Sequence, residues 1–494
     1  MCGIVGIIGN NEVAIEIYEG LICLQHRGQD SAGIVTYNQQ FHLKKGMGLV
    51  RDVFRQDDIN ELKGNVGIGQ VRYPTVGGGT IEDAQPFIVN SPYGIAMAHN
   101  GNIFNFPQVK QELFEKDNRH INSNCDLEAI LNVFAHELSR YCHREFFDSI
   151  CQAVSGVYQR VKGGYSVVAV IANKGLVAFR DPFGIRPLVW GQRKSSFKTE
   201  HLFASETTMF RILNFDFYRD LEPGEVVLID LHGEVKSRVV LKERFSPCIF
   251  EYVYFARADS MLNDVSVYRA RLRMGQNLAK KIKEKYPNLE IDAVIPAPES
   301  SIPAAMSLAK ELGVRFTIGL IKNHFIGRTF IMPGQKIRKR ANEFKLSPLE
   351  LEIRDKNVLI VDDSIVRGNV SRHIVKLMRE NGAKKVYFAS TSPALRWPCL
   401  YGIDLPTKEE YIANNLDEEG IAKSIGTDLV IYQDLEQLIE AVVRKGDVKF
   451  SEPCTACFTG KYPTGDVTKE VLEEIDKQRK AERETMSDKG TLMF

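Results

Sequence analysis

Four apolar β-formers, Val358 to Val361, run directly into two adjacent carboxylates, Asp362 and Asp363. A loop of small and polar residues follows, Ser364-Ile365-Val366-Arg367-Gly368-Asn369, and then the helix-like run Val370 to Asn381. The segment reads as a buried parallel strand, a turn and a helix, and such a strand needs cover on both faces. The chain must therefore contain a layered α/β domain. Backbone N–H groups of the turn and the positive end of the helix dipole converge on one point and favour an anion there. The paired carboxylates just ahead could hold sugar hydroxyls or a hydrated Mg²⁺. In an ordinary βα turn the Asp and Ser would only cap the helix.

One such domain does not account for 494 residues, which are too many for a single core. Up to about residue 235 the pattern is strand-rich. Candidate strands are Ile4–Ile8, Gly67–Arg72, Gly94–His99, Tyr165–Ala172 and Leu176–Arg180, with helical stretches at Val13–Leu24 and Asp126–Leu138. That suits packed antiparallel sheets with helices outside. From Val267 the rhythm becomes βα alternation: helix Val267–Lys285, strand Ile291–Ile295, a helix from Pro303 that stops at Gly313, then the Val358–Val361 unit and strand Val386–Ala389. The expected division is 2–235, 236–465 and a Lys- and Glu-rich tail, 466–494, to which no chemistry is assigned. Lys plus Arg (64) nearly equals Asp plus Glu (63), so no global field draws the chain to nucleic acid or an anionic membrane. No run reaches the ~18 apolar residues of a membrane span. The N-terminus lacks signal-peptide architecture, so a cytoplasmic setting is expected, where nine cysteines should not be structural disulfides.

Cys2 carries special chemistry if Met1 is removed, because a thiol and an α-amine then share one residue. With an ordinary pKa of ~7.7–8.0, that amine can serve the thiol as general base. Further along stand Leu24-Gln25-His26-Arg27-Gly28-Gln29-Asp30-Ser31-Ala32-Gly33, Val71-Arg72-Tyr73-Pro74-Thr75, Ala98-His99-Asn100-Gly101-Asn102 and Asn124-Cys125-Asp126. With Met1-Cys2-Gly3-Ile4-Val5-Gly6, this ordered set resembles the class II glutamine amidotransferase domain, an N-terminal-nucleophile hydrolase with an αββα sandwich. The resemblance implies that Cys2 attacks the carboxamide of glutamine and that Asn100 and Gly101 hold the oxyanion. It also implies that Arg27, Arg72 and Asp126 bind the amino-acid end, Arg72 clamping the carboxylate and Asp126 pairing the ammonium.

The string around Asp362 and Asp363 is in turn similar to the signature of type I phosphoribosyltransferases, which bind phosphoribosyl pyrophosphate (PRPP). Ser364 to Asn369 would cradle the 5′-phosphate. Ile295-Pro296-Ala297-Pro298-Glu299-Ser300-Ser301 also lies between a strand and a helix and fits a second, pyrophosphate loop. By the same resemblance Glu299, Ser300 and Ser301 contact PRPP, and Ser300 joins Asp362 and Asp363 around Mg²⁺. Lys322 to Gln335 and the basic run Lys336 to Arg340 read either as a solvated face or as a flap that closes over PRPP.

Both halves together, with Phe250 to Arg257 between them, resemble the glutamine PRPP amidotransferase family over nearly the whole chain. The implied reaction frees ammonia at Cys2 and passes it to C1 of PRPP, giving 5-phosphoribosylamine, glutamate and pyrophosphate, the first step of purine synthesis. Purine nucleotides as inhibitors and a homotetramer are implied with it. The chain departs from the family pattern at Ala258, where Pro is usual. The alternative among enzymes is another class II amidotransferase, and the alternative of a different class is a catalytically silent PRPP sensor.

Cys454-Thr455-Ala456-Cys457 is a C-x-x-C pair that redox chemistry, a metal or chance would each explain. With Cys248 and Cys399 it occupies the positions at which one branch of the family holds a [4Fe–4S] cluster; Zn²⁺ would also accept four thiolates. Cys23, Cys125, Cys142 and Cys151 read as ordinary buried thiols.

Overall fold

The computed structural model describes residues 2–73, 79–323, 346–403, 407–443 and 450–488. Strand Gly3–Ile8, GIVGII, is buried along its whole length because it lies inside a sheet covered on both faces. It pairs antiparallel with Val66–Arg72 on one side and Glu200–Ala204 on the other. Seven strands form this sheet, in the order Asp216–Asp220, Val189–Arg193, Glu200–Ala204, Gly3–Ile8, Val66–Arg72, Ser31–Asn38, Gln40–Met47. A second, six-stranded antiparallel sheet runs Val235–Val239, Glu225–Asp230, Gly175–Arg180, Gly163–Ile171, Ile95–Ile103, Phe87–Val89.

Alternation along the strands builds the layers. Ile4, Ile8, Val35 and Ile68 of the first sheet meet Ala96, Ala98, Val168 and Leu176 of the second in one core. The outer face of the second sheet carries helices Asp126–Arg140 and Phe146–Arg160, and helix Ala14–Cys23 covers the first. The result is the αββα sandwich expected. One strand boundary differs from expectation. The strand read as Gly94–His99 continues to Ile103, Asn100 and Gly101 pairing with Ser166 and Tyr165, and Asn102 and Ile103 with Gly164 and Gly163. The sandwich also runs past residue 235, to the end of its edge strand at Val239.

The second half has a five-stranded, wholly parallel sheet in the order Arg315–Phe316, Ala293–Pro296, Asn357–Asp362, Lys385–Ser390, Leu429–Tyr432. Val358 and Ile360 face helix Asn369–Glu380 through Ile374, Val375 and Met378. Leu359 and Val361 face Leu278 and Ile282 of helix Val267–Lys285 and Leu308 of helix Ile302–Leu312. Both faces are therefore dry, as the apolar run of the sequence requires. Neighbouring strands Ala293–Pro296 and Asn357–Asp362 end side by side, Pro296 opposite Val361. Loops at adjacent C-terminal strand ends are where open parallel sheets bind ligands.

The largest core belongs to neither half alone. Val5, Ile7 and Leu21 share it with Ile249, Tyr252 and Val253 of the junction, with Leu395 to Ile403, and with Phe450 to Phe458. The C-terminal segment, expected as a solvated helix or a partly disordered tail, forms helix Lys469–Asp488. That helix lays Ile475 into the same core, with Val471 and Leu472 packed against it, and Arg479 Nη2 donates to the Cys399 carbonyl at 3.1 Å. Among the described residues no helix is long and apolar enough to cross a membrane.

Candidate active sites

Cys2 precedes the central strand and is 4% exposed. Its backbone nitrogen donates to Asn100 Oδ1 at 3.3 Å, and its thiol lies 3.6 Å from the Tyr73 carbonyl. Asn100 Nδ2 donates to Ser205 Oγ over a long 3.4 Å. The thiol, the carboxamide of Asn100 and the end of strand Val66–Arg72 thus meet at one place. Gly28 makes this approach possible: a Cβ there would sit 2.6 Å from the backbone carbon of Arg72. Loop 25–30 consequently lies on the strand end, where Asp30 N–H donates to the Arg72 carbonyl.

Arg72 and Asp126 are 3% exposed and lie in one buried polar cluster with Asp83, His99 and Gln85. Arg72 Nη2 is 4.0 Å from Asp83 Oδ2. Asp126 opens its helix, accepts from Ile103 N–H at 3.0 Å and lies 3.3 Å from His99 Nε2. Burial pushes the Asp126 carboxyl up, but His99, the Ile103 N–H and Arg72 outweigh it and hold it below the usual range. Cys125 beside it accepts from Gln85 Nε2, and burial pushes its thiol up to about 12, so it stays protonated. Of the roles left unassigned by sequence, those of His99, Asp83, Gln85 and Ser205 emerge only here. His99 stood inside a quoted motif without a part to play; Asp83 and Ser205 belong to no recognisable string.

Arg27 departs from its expected place as a ligand of the amino acid. Its side chain is fully buried, with Nη1 at 2.5 Å from Glu206 Oε1, Nη2 at 2.8 Å from Glu251 Oε1, and Nε donating to the Cys2 carbonyl at 3.0 Å. The guanidinium is taken up by these partners and holds the main chain of Cys2. Burial lowers its pKa, but the two carboxylates outweigh that and raise it.

At the C-terminal edge of the parallel sheet, Ser300 Oγ donates to Asp363 Oδ2 at 2.7 Å and Ser364 Oγ to Oδ1 at 2.6 Å. Asp363 N–H donates to Asp362 Oδ1 at 2.8 Å. Both carboxyls are pushed up, first by burial; mutual repulsion adds to the rise at Asp362, while Ser364, Ser300 and Arg271 oppose it at Asp363. Such a pair calls for a cation. Gly368 precedes helix Asn369–Glu380 with φ of +76°, a left-handed turn that wraps the loop around the helix N-terminus. Within that loop the side chains divide. Ile365 is buried in the core and offers only its backbone. Val366 packs against the shared core, Arg367 pairs with Glu410 at 2.9 Å, and Asn369 Oδ1 accepts from Arg372. In the neighbouring loop Ser301 Oγ donates to the Ala297 carbonyl and Glu299 lies 3.5 Å from Lys322. Residues 324–345, including the basic run, and Pro74 and Thr75 lie outside the described residues.

Cys248, Cys399, Cys454 and Cys457 are all buried, 5–7% exposed, and belong to the shared core. Segments 247–249 and 454 pair through Ile249 N–H to the Cys454 carbonyl and Cys454 N–H to the Pro247 carbonyl. Burial pushes the Cys248 thiol up to about 11 and those of Cys454 and Cys457 higher, and the neighbouring thiols of the set add to it. Among the described residues no three His, Cys, Asp or Glu close on a single ion. All nine cysteines are free. Cys125 and Cys151 are buried thiols as expected, whereas Cys23, at the end of its helix, is half-buried and Cys142, in the turn after Arg140, is exposed.

Comparison with known proteins agrees with this division of labour. Residues 77–211 match the glutamine amidotransferase domain and residues 266–392 the phosphoribosyl transferase domain. Amidophosphoribosyltransferase of Pseudomonas aeruginosa is 51% identical over 97% of this chain and 96% of its own length. The Escherichia coli enzyme is 48% identical over 97% and 96%, and that of Saccharomyces cerevisiae 44% identical over 99% and 97%. The solved structure of glutamine PRPP amidotransferase from B. subtilis, complexed with ADP and GMP, superposes with a TM-score of 0.84 at 37% identity, covering 96% of this chain and all of that one. At 44–51% identity to these relatives over nearly its whole length, with both domains matched, the chain belongs to the amidophosphoribosyltransferase family.

Proposed function

We propose that the chain hydrolyses glutamine at Cys2 and delivers the ammonia to C1 of PRPP, forming 5-phosphoribosylamine, glutamate and pyrophosphate. The observation that carries this is the joining of both sites through one apolar core. Once Met1 is removed, the α-amine of Cys2 takes the thiol proton as sulfur bonds to the carboxamide carbon. The oxyanion lies against Asn100 Nδ2, which cedes its long bond to Ser205, and the Gly101 N–H. Collapse returns the proton to the leaving nitrogen and releases ammonia. Water then cleaves the thioester to glutamate and restores the thiol. Arg72 and Asp126 hold the carboxylate and ammonium of glutamine.

In the second half-reaction ammonia bonds to C1 as the C1–pyrophosphate bond breaks, and the nitrogen loses one proton. Ser364 to Asn369 seat the 5′-phosphate, and residues 299–301 face the pyrophosphate. Asp362, Asp363 and Ser300 would hold Mg²⁺, which when bound would neutralise charge on the departing group. Cys248, Cys399, Cys454 and Cys457 would hold a [4Fe–4S] cluster. Four buried thiols gathered in one core supply the four thiolates such a cluster needs, and zinc would accept the same set. Neither half-reaction is a redox step, so the cluster acts as a staple between the junction and the C-terminal segment. Purine nucleotides act as regulators, a homotetramer is the assembly, and a reducing cytoplasm fits nine free cysteines.

The test is Cys2→Ala. It should abolish glutamine hydrolysis and leave phosphoribosylamine formation from added ammonia intact. Unchanged hydrolysis would overturn the mechanism, and a PRPP sensor without turnover would show neither activity in the parent.

A further inference from the structure

The catalytic cysteine is held in place from outside its own half of the chain. Arg27 and Glu206 belong to the sandwich, but Glu251 lies beyond its last strand, at the start of turn Glu251–Phe255. Glu251 is 2% exposed and spends both carboxylate oxygens on Arg27, accepting from Nη1 at 3.1 Å and from Nη2 at 2.8 Å. Oε1 also accepts from Arg186 Nη1 at 3.4 Å, and Arg186 is fully buried. A guanidinium is a rigid planar fork, so fixing its two Nη atoms fixes the direction of its Nε–H. In Arg27 that Nε–H is the donor on the Cys2 carbonyl.

The position of Glu251 is itself constrained. Its N–H donates to the Cys248 carbonyl at 3.3 Å, and the residues before it pair with the Cys454 segment. On the far side, Arg271 of helix Val267–Lys285 grips the same turn through the carbonyls of Tyr252, Tyr254 and Ala256. The arrangement has two cations, Arg27 and Arg186, against two carboxylates, Glu206 and Glu251, with side chains 0–2% exposed. His26 Nε2 also lies 2.8 Å from Glu206 Oε1, and the arrangement is anchored to both halves.

We infer that Glu251 is a positioning residue for glutamine hydrolysis: it orients Arg27, which holds the Cys2 main chain and thereby aims the thiol and amine. This rests on the reading of Cys2 as the nucleophile. Ammonia-dependent synthesis at the second site needs neither group, so it serves as an internal control for folding.

Three full-length variants test it. Glu251→Gln keeps the size of the side chain but leaves two buried cations against one carboxylate. Glu251→Gln with Arg186→Met restores the balance and protects the fold. Glu251→Asp keeps the charge with a shorter reach. In the double variant, kcat for glutamine should fall by about 10-fold or more, with KM within about twofold and ammonia-dependent turnover unchanged. Glu251→Asp should recover part of the lost kcat. In Glu251→Gln alone, the acid limb of the rate of Cys2 alkylation should move to lower pH by ~0.5 unit, because removing a buried negative charge disfavours the protonated amine. A double variant with parental kcat would overturn the inference. So would equal loss of hydrolysis and ammonia-dependent synthesis in all three, which would give Glu251 a purely structural role. Retained hydrolysis in Cys2→Ala would instead remove the reading beneath it.

Discussion

Asp126→Asn isolates one contact of the glutamine pocket. The side chain is 3% exposed, and its carboxylate is kept ionised by His99, the Ile103 N–H and Arg72 against the cost of burial. Asn matches it in size and still offers Oδ1 to the Ile103 N–H, so the start of helix Asp126–Arg140 keeps its anchor. What disappears is the negative charge facing the α-ammonium of glutamine. Losing a charge-assisted hydrogen bond in a buried site costs about 2–4 kcal/mol, or roughly 30- to 1,000-fold in kcat/KM. The ammonium is remote from the carboxamide and is held alike in ground and transition states, so most of the loss should appear in KM. The assay is glutamate release across a range of glutamine, repeated with glutaramate, which is glutamine without its amino group. With glutaramate the gap between parent and variant should collapse to within about threefold, since the partner of the lost charge is absent. Ammonia-dependent phosphoribosylamine formation should not change. An equal gap with both substrates would refute the assignment and leave Asp126 a support for Ile103 and His99.

Asp362→Asn with Asp363→Asn should abolish phosphoribosylamine formation even from ammonia, while glutamine hydrolysis without PRPP stays within about threefold of the parent. Normal ammonia-dependent turnover would refute the site. Protein purified without oxygen should carry about four irons and four sulfides per chain; chelation or Cys457→Ser should release them and expose the C-terminal helix to protease. One zinc and no iron would replace the cluster reading. His201 is held neutral by burial, its pKa lowered to about 4, with Nδ1 accepting from Trp190 Nε1. The unfolded chain takes up this proton near pH 6.5, so stability is whole above that value and falls as pH drops toward 4. At pH 5 the loss is about 2 kcal/mol. His201→Gln should therefore lose less than the parent between pH 7 and pH 5 in urea unfolding, and an identical decline would remove His201 as a cause.

The second half of the chain was the more legible in sequence, for a physical reason. A parallel strand buried on both faces must be written as a continuous apolar run, and Val358 to Val361 shows where the strand is and which end opens on the site. Helix Val267–Lys285 could be bounded from its pattern alone because Ser266 caps it. In the sandwich the strands were visible but their reach was not. Nothing local says that Asn100 and Gly101 stay in a strand, because Ser166 and Tyr165, the residues they pair with, lie more than sixty positions away. Arg27 was misplaced for a related reason. Its motif marks it as close to the nucleophile, and so it is, but the direction of a guanidinium depends on acidic partners, and Glu206 and Glu251 stand in unremarkable strings.

The shared core bears on why the two sites occupy one chain. Ammonia is a nucleophile only while unprotonated, and water at neutral pH would protonate it. Delivery from Cys2 to C1 therefore needs a path that excludes water, and dry surface between the sites is what such a path requires. Residues of the first sheet, the junction, the Cys399 loop and the C-terminal helix are packed together in a single apolar body. The Cys399 loop reaches the oxyanion strand itself, where Asn102 Nδ2 donates to the Leu400 carbonyl at 3.1 Å. Separating the halves near residue 240 would expose the whole of this body, so neither half should survive alone as the soluble unit that its sheet topology suggests. Expression of residues 2–240 as a stable glutaminase with parental kcat would contradict that argument, because such a fragment lacks Glu251, Leu400 and the later residues of the shared core.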